Sequence, residues 1–367
     1  MSSLAAEGSR ILPLPLWLIT VVAVVVVAIV TTAVLLWRNR GAERRSAAVA
    51  AGPNGGPEAV AADAAPTARN GPGDPSHIGP YRVHGRLGGG GMGRVFLAHS
   101  PGGRTVAVKV VHPGLADDPE FRRRFATEVE AARRVGGFFT AQVVDADPDG
   151  TPPWLATAYI PGPSLQEVVQ GHGPLPAAPV AALGAGLAEG LKAVHGCRLV
   201  HRDLKPGNVV LSPDGPRVID FGIARALDST SATRTSTVLG TAAFMSPEQV
   251  TGQEVGPASD VFSLGCVLAF AASGRSPFGE GPAYAVTHRV VYSEPDLAGL
   301  AGPLKELVDA CLAKDPAERP ALDRVLAVCR PLFSSDPGRP DGTGSSEALT
   351  EVLSRHATRV EPPGTPP

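Results

Sequence analysis

Residues 199–211 read LVHRDLKPGNVVL. His201, Arg202, Asp203, Lys205 and Asn208 sit there in one tight turn between two short apolar runs. Burying charge without partners is costly, so the cluster implies either a pairing network or a chemical task. A Pro-Asp-Gly turn and a short strand-like run then lead to Asp220, Phe221 and Gly222. Asp203, Asn208 and Asp220 supply oxygen ligands of the kind Mg²⁺ takes when it is shared with a nucleotide's phosphates. Phosphoryl transfer needs an in-line hydroxyl, a base or orienting group beside it, and neutralised phosphate charge. Asp203 has the chemistry for the hydroxyl's proton, Lys205 for the transferring phosphate, and Asn208 and Asp220 for the metal. A self-paired surface turn is the bland alternative.

The sequence upstream decides between them. YRVHGRLGGGGMGRVFLAHSPGGRTVAVKVV, from residue 81, alternates apolar residues on both sides of a glycine cluster and predicts three strands, with a turn at Pro101-Gly102-Gly103. Gly88, Gly90 and Gly93 fit G-x-G-x-x-G, and Val95 follows two residues later. A dinucleotide fingerprint runs from strand into helix. Here the glycines are followed by the strand RVFLAHS, which favours a hairpin folded over phosphates. Lys109 interrupts the apolar strand VAVKVV, either as a solvated mid-strand lysine or as a phosphate contact needing a carboxylate partner. The helical pattern over 119–135 buries a Phe121, Phe125, Val129 stripe. Glu128 borders that stripe whereas Glu130 lies farther round, so Glu128 is the expected partner of Lys109.

Composition bounds the rest. The 367 residues carry a net charge of −2, which gives no basic field for nucleic acid. Arginine, glycine and proline dominate over lysine as in GC-rich bacterial genomes. The four cysteines show no metal-ligand spacing and are expected to be small buried hydrophobes in a reducing compartment. Residues 14–37, LPLWLITVVAVVVVAIVTTAVLLW, are uncharged throughout, with Trp17 and Trp37 near the ends and Arg38, Arg40, Arg44 and Arg45 following. From Leu16 to Trp37 a helix spans roughly 33 Å, a bilayer core. The following arginines place the remainder in the cytoplasm and residues 1–13 outside. Residues 38–79 are rich in Ala, Gly and Pro and are expected to be a flexible tether. A folded region over 80–332 divides at 161/162, and residues 333–367 are expected to be a disordered tail, in which 347–360 has the pattern of a transient helix with only a thin apolar face.

The pieces LGGGGMGRV, VAVK, HRDLKPGN, DFG and MSPE, in that order, resemble the eukaryotic-like Ser/Thr protein kinases in their bacterial, membrane-anchored branch of actinobacterial type. The resemblance implies an α+β bilobal protein kinase fold, with a β-rich N-lobe and a helical C-lobe, preceded by one transmembrane helix. It implies ATP and Mg²⁺ or Mn²⁺ as cofactors, protein Ser/Thr hydroxyls as substrates, and a homodimer through the N-lobe. Gly88, Gly90 and Gly93 then cover the phosphates. Lys109 contacts the α- and β-phosphates and pairs with Glu128. Asp203 is the catalytic base, Lys205 the phosphate contact, and Asn208 and Asp220 the metal ligands. Leu87, Val95, Ala107, Thr157, Ala158 and Ile160 complete the nucleotide-binding set, Thr157 as gatekeeper. Ala158 departs from the acidic residue common there, and backbone bonding to adenine tolerates the change. Asp260 supports the catalytic loop, and Arg319 pairs with Glu248. Lys205 and the GTAAFMSPE segment with Thr241 resemble Ser/Thr rather than tyrosine kinases. Arg202 implies control by activation-loop phosphorylation, since arginine binds phosphate bidentately. Thr233 and Thr235 are the expected sites, with Ser236 and Thr237 as competitors.

Two rivals share the fold. A pseudokinase scaffold usually lacks the lysine or one of the aspartates, and Lys109, Asp203 and Asp220 are all present. A small-molecule phosphotransferase needs neither the docking segment nor a threonine-rich loop.

Overall fold

The computed structural model describes residues 71, 73–220, 242–333, 350 and 352–354. The expected transmembrane helix over 14–37, most of the tether, and Thr233, Thr235, Ser236, Thr237 and Thr241 lie outside the described residues.

A six-stranded antiparallel sheet opens the fold: β1 (His77–Ile78), β2 (Tyr81–Gly90), β3 (Gly93–His99), β4 (Thr105–Val111), β5 (Val143–Asp147) and β6 (Trp154–Ala158), in the order β1-β2-β3-β4-β6-β5. Strand period sets its two faces. Val106, Val108 and Val110 of β4 join Phe96, Trp154 and Ala156 in one core, while Thr105, Ala107 and Lys109 between them stay half-exposed. Helix α1 (Pro113–Ala116) is short, and α2 (Pro119–Ala132) carries the expected stripe, with Phe121, Phe125 and Val129 buried against Leu155 and Val143. The start of α2 is set by Asp118, whose carboxylate accepts from Glu120 N at 2.8 Å, and by Pro119 in the first turn.

Below the sheet lie α3 (Leu165–His172), α4 (Ala177–Gly196), the antiparallel pair β7 (Val209–Ser212) and β8 (Gly215–Val218), α5 (Pro247–Thr251), α6 (Pro257–Ser273), α7 (Ala283–Tyr292), α8 (Gly302–Cys311) and α9 (Leu322–Phe333). Among the described helices α4 alone is long and apolar enough to cross a membrane, but it is buried in the C-lobe core. Leu183, Leu187 and Leu191 of α4 pack there with Phe262, Leu264 and Leu268 of α6 and with Val325 and Cys329 of α9. Each of these fully buried leucines contributes about 1.5–3 kcal/mol. Cys266, Cys311 and Cys329 are free and buried, as expected, whereas Cys197 is free but only half-buried; burial raises the three buried thiols, Cys311 and Cys329 to about 12.

The ends of the folded region differ from expectation. Ordered structure starts before residue 80, because β1 pairs with β2 and Ile78 enters the N-lobe core. In the tail, Thr350 and Val352–Ser354 are helical, and Val352 and Leu353 pack against the C-lobe core.

One buried ion pair ties the base of the C-lobe. Arg319, its side chain 0% exposed, donates to both carboxylate oxygens of Glu248 at 2.7 and 2.8 Å. The Ser259 hydroxyl donates to the same carboxylate. Removing one partner strands the other charge in a dry site. Arg319→Met is therefore expected to cost about 3–5 kcal/mol, read as a lower midpoint in urea unfolding of the full chain.

Candidate active site

The turn that opened the sequence analysis connects α4 to β7, and its backbone is strained. Arg202 has φ 62° and Asp220, just beyond β8, φ 59°, a region costing a non-glycine residue about 1–3 kcal/mol. Asp260 on α6 compensates. Its carboxylate, 1% exposed, accepts His201 N at 2.8 Å, Arg202 N at 2.9 Å and His195 Nε2 at 2.8 Å. Gln249 Nε2 donates to Arg202 O at 2.9 Å. His195 and Gln249 escaped the sequence analysis: each is one polar residue in a helix, with no spacing that marks it.

His201 is fully buried. Asp203 N donates to its Nδ1 at 3.3 Å, so Nε2 carries the proton and donates to Ile219 O at 3.2 Å. Burial, opposed by Asp260 and Asp203, lowers its pKa and keeps the ring neutral. The imidazole thereby links the loop before Asp203 to the residue before Asp220.

Asp203, Lys205 and Asn208 come together as expected. Lys205 Nζ is 2.9 Å from Asp203 Oδ2. Asn208 Nδ2 donates to Asp203 O at 2.8 Å and to Asp203 Oδ2 at 3.2 Å. Asn208 sits in a 3₁₀ turn, Pro206–Asn208, and its carbonyl accepts Ile219 N at 3.0 Å. With Nδ2 committed, the amide Oδ1 is the atom left for a cation. Asp220 offers a carboxylate of which Oδ1 receives Lys109 Nζ at 3.0 Å. Two hard oxygen donors flanked by lysines suit Mg²⁺ shared with phosphates.

Across the cleft, strand register collects the expected nucleotide contacts. Val95 pairs with Lys109, and Ala107 with Thr157, so these four share a face. Ala158 N donates to Gln142 O at 2.8 Å at the end of β6, and Ile160 follows. Leu87 lies at an irregularity in β2 and is 36% exposed. The three glycines divide into two kinds. A Cβ on Gly93 would lie 2.1 Å from Val110 O, so the sheet itself demands glycine there. Gly88 and Gly90 have open space, as a backbone approached by a ligand needs.

One expected contact is corrected. Lys109 pairs with Asp220, not with Glu128, and Glu128 Oε1 instead takes Arg202 Nη1 at 3.0 Å. The carboxylate, 17% exposed, has been drawn into a site where the nearest cation belongs to the loop below it. Its Oε2 is buried without a hydrogen-bond partner. Burial pushes the carboxyl up to about 7, against the opposing pull of Arg202. The folded state thus holds this proton more tightly than the unfolded chain, whose carboxyl titrates near 4.5. Stabilisation from that proton is complete below about 4.5 and is lost as pH rises through about 7. Glu128→Gln, which mimics the protonated form, is expected to match wild-type stability at pH 5 and exceed it by about 1–3 kcal/mol at pH 8. Thermal unfolding of both proteins at the two pH values measures this.

Comparison with known proteins supplies the context for this geometry. A protein kinase domain profile matches residues 81–329. PkwA of Thermomonospora curvata, named a probable serine/threonine-protein kinase, is 56% identical over 80% of this chain and 40% of its own length. The serine/threonine-protein kinase AfsK of Streptomyces coelicolor is 50% identical over 74% of this chain and 34% of its own length. The serine/threonine-protein kinase PknA of Mycobacterium tuberculosis is 34% identical, covering 78% of this chain and 73% of that one. The chain thus spans less than half the length of PkwA and AfsK. The crystal structure of the M. tuberculosis PknI kinase domain superposes with a TM-score of 0.53 at 26% identity, over 75% of this chain and 97% of that one. By profile, relatives and fold together, the chain belongs to the protein kinase family, in its bacterial eukaryotic-like serine/threonine branch.

Proposed function

We propose that the chain is an ATP-dependent Ser/Thr protein kinase, transferring the γ-phosphate of ATP to protein Ser/Thr hydroxyls. The observation that carries this reading is the Asp203 carboxylate held between Lys205 and Asn208, in a loop that His201 and Asn208 tie to Ile219, one residue before the Asp220 that pairs with Lys109. Asp203 orients the acceptor hydroxyl and takes its proton. Lys205, already 2.9 Å from that carboxylate, follows the transferring phosphate. Lys109 binds the α- and β-phosphates, with Gly88 and Gly90 admitting them under the hairpin. Leu87, Val95 and Ala107 hold the base, with Thr157, Ala158 and Ile160 at its edge. Asn208 and Asp220 are the residues to hold Mg²⁺ or Mn²⁺, which supplies neutralisation of phosphate charge.

The arrangement of Glu128 gives regulation a physical form. Arg202 is engaged by Glu128. A phosphate on Thr233 or Thr235 is a stronger, bidentate partner for the same guanidinium. Capturing Arg202 frees Glu128 for Lys109, which shifts Lys109 from Asp220 and leaves that carboxylate to the metal. Incubation of the full chain with Mg-ATP is expected to phosphorylate Thr233 or Thr235 in the wild type and not in Asp203→Asn, read by peptide mass spectrometry. Nucleotide binding with no phosphate on the protein or on added generic substrates would instead favour the scaffold reading.

The 14–37 stretch is proposed as a single membrane anchor, with the kinase on the cytoplasmic side. Confinement to a layer raises the local concentration for phosphorylation between copies. The full chain is expected to float with liposomes in a density gradient, and a chain lacking residues 1–40 to stay with the soluble fraction and lose most of its loop phosphorylation in cells.

A further inference from the structure

Asp74 precedes the expected start of the kinase domain, in a segment whose composition reads as tether. Its side chain is nevertheless 2% exposed. Oδ2 accepts Gly71 N at 2.9 Å. Oδ1 accepts Arg86 Nη2 at 2.7 Å and Arg94 Nη1 at 3.4 Å. The Gly71 amide, together with the two guanidiniums, holds the carboxyl below the ordinary carboxylate range against the opposing effect of burial. The segment is fixed downstream of Asp74 as well: Val83 N donates to Ser76 O at 2.9 Å, His77 and Ile78 pair with Arg82 and Tyr81, and Ile78 is buried.

The two arginines lie on opposite arms of the glycine-rich hairpin. Arg86 is two residues before Gly88, and Arg94 directly follows Gly93 and pairs with Gly89. Between Arg86 and Gly88 the β2–β3 register shifts, which gives the hairpin a point at which to bend. Beyond that point Gly88, Gly90 and Gly91 have no neighbours that a Cβ would meet. The tip itself is met by His112, whose Nε2 lies 3.0 Å from Gly90 O and whose backbone N donates to Met92 O at 2.9 Å. One carboxylate, that of Asp74, grips both arms of the hairpin.

We propose that Asp74 is a positioning residue that holds the glycine-rich hairpin at the height required for nucleotide phosphates, so that the segment leading into the kinase domain sets nucleotide affinity. Exposed ion pairs contribute little, and both guanidiniums here are more than a third exposed, but the carboxylate between them is 2% exposed and serves three donors. Its loss leaves two guanidiniums side by side on the hairpin with their shared counter-charge gone. The proposal rests on the reading of the cleft as an ATP site.

The test compares the full chain with Asp74→Asn, Asp74→Glu and Arg94→Gln, using Mg²⁺ with a fluorescent ATP analogue for affinity and hydrogen exchange for the hairpin. Asp74→Asn is expected to weaken nucleotide binding and raise the KM for ATP about three- to tenfold, the scale of one ordinary hydrogen bond. The kcat at saturating ATP is expected to stay within about twofold of wild type. Exchange should rise over residues 86–95 and not over α4. Asp74→Glu should restore most of the affinity, and Arg94→Gln, which keeps the Arg86 pair, should give the same effect at smaller size. Unchanged affinity in Asp74→Asn and Arg94→Gln overturns the proposal, as does a loss matched by faster exchange throughout the chain. A wild type that binds no nucleotide fails the ATP reading itself; one that binds nucleotide but transfers no phosphate fails the kinase reading while affinity and exchange still decide the role of Asp74.

Discussion

The buried carboxylate of Asp260 is the constraint on which the site depends. A loop that turns through a left-handed arginine tends to relax toward commoner backbone angles. Here two consecutive amides of that loop, His201 N and Arg202 N, donate to one carboxylate on the core helix α6, and His195 of α4 donates to it as well. Because α4 and α6 share the C-lobe core, the loop inherits the rigidity of that core. Asp203, Lys205 and Asn208 then have little choice of position. The neutral His201 ring carries the same constraint across to Ile219, one residue before Asp220. Bridges at both edges of the β7–β8 hairpin complete it: Val218 bonds to Phe139 and Ala141 on one side, and Leu211 N to Pro163 O on the other.

The contacts across the cleft are built differently. Glu128 reaches Arg202 by a single ion pair, with its second oxygen buried and unpartnered and its proton held to about neutral pH. Lys109 and Asp220 are each a quarter to a third exposed. Half-satisfied or half-solvated pairs are poor anchors. Four charged groups, Glu128, Arg202, Lys109 and Asp220, thus meet in two pairs, and these are the partners that the proposed switch exchanges. The rigid half of the site thus lies in the C-lobe loop, and the exchangeable half in the sheet and α2.

Much of this was legible in the residues, for identifiable reasons. The Phe121, Phe125, Val129 stripe and the alternation in β4 are periodic over enough residues to fix both element and face. Asp203, Lys205 and Asn208 meet within six residues, so local sequence brings these three together, whereas the loop backbone under them is fixed by Asp260, 58 and 59 residues from the amides it accepts. The partner of Glu128 could not be read this way. Periodicity showed that the carboxylate borders the buried face, but Arg202 lies 74 residues away and Lys109 was an equally good cation on paper. Gly93 looked like Gly88 and Gly90 because the motif treats them alike; only the approach of Val110 O separates the structural glycine from the two open ones.

The boundaries misled for a related reason. Burial of a segment rich in Gly, Ala and Pro is not expected from composition, and β1 is only two residues long, with Ile78 its single apolar anchor. What holds the segment is instead polar: Asp74 answers two arginines whose own places in the sequence are set by the glycine hairpin between them. At the other end, the thin apolar face over 347–360 predicts no more than a transient helix, and in the structure Val352 and Leu353 of that face pack against the C-lobe core. Composition thus locates the cores of this chain well and its edges poorly, because at an edge one ion or one leucine can decide whether the backbone is ordered. At the N-terminal edge that ion also grips both arms of the glycine-rich hairpin, so the contacts of the segment before the sheet and those of the hairpin share one carboxylate.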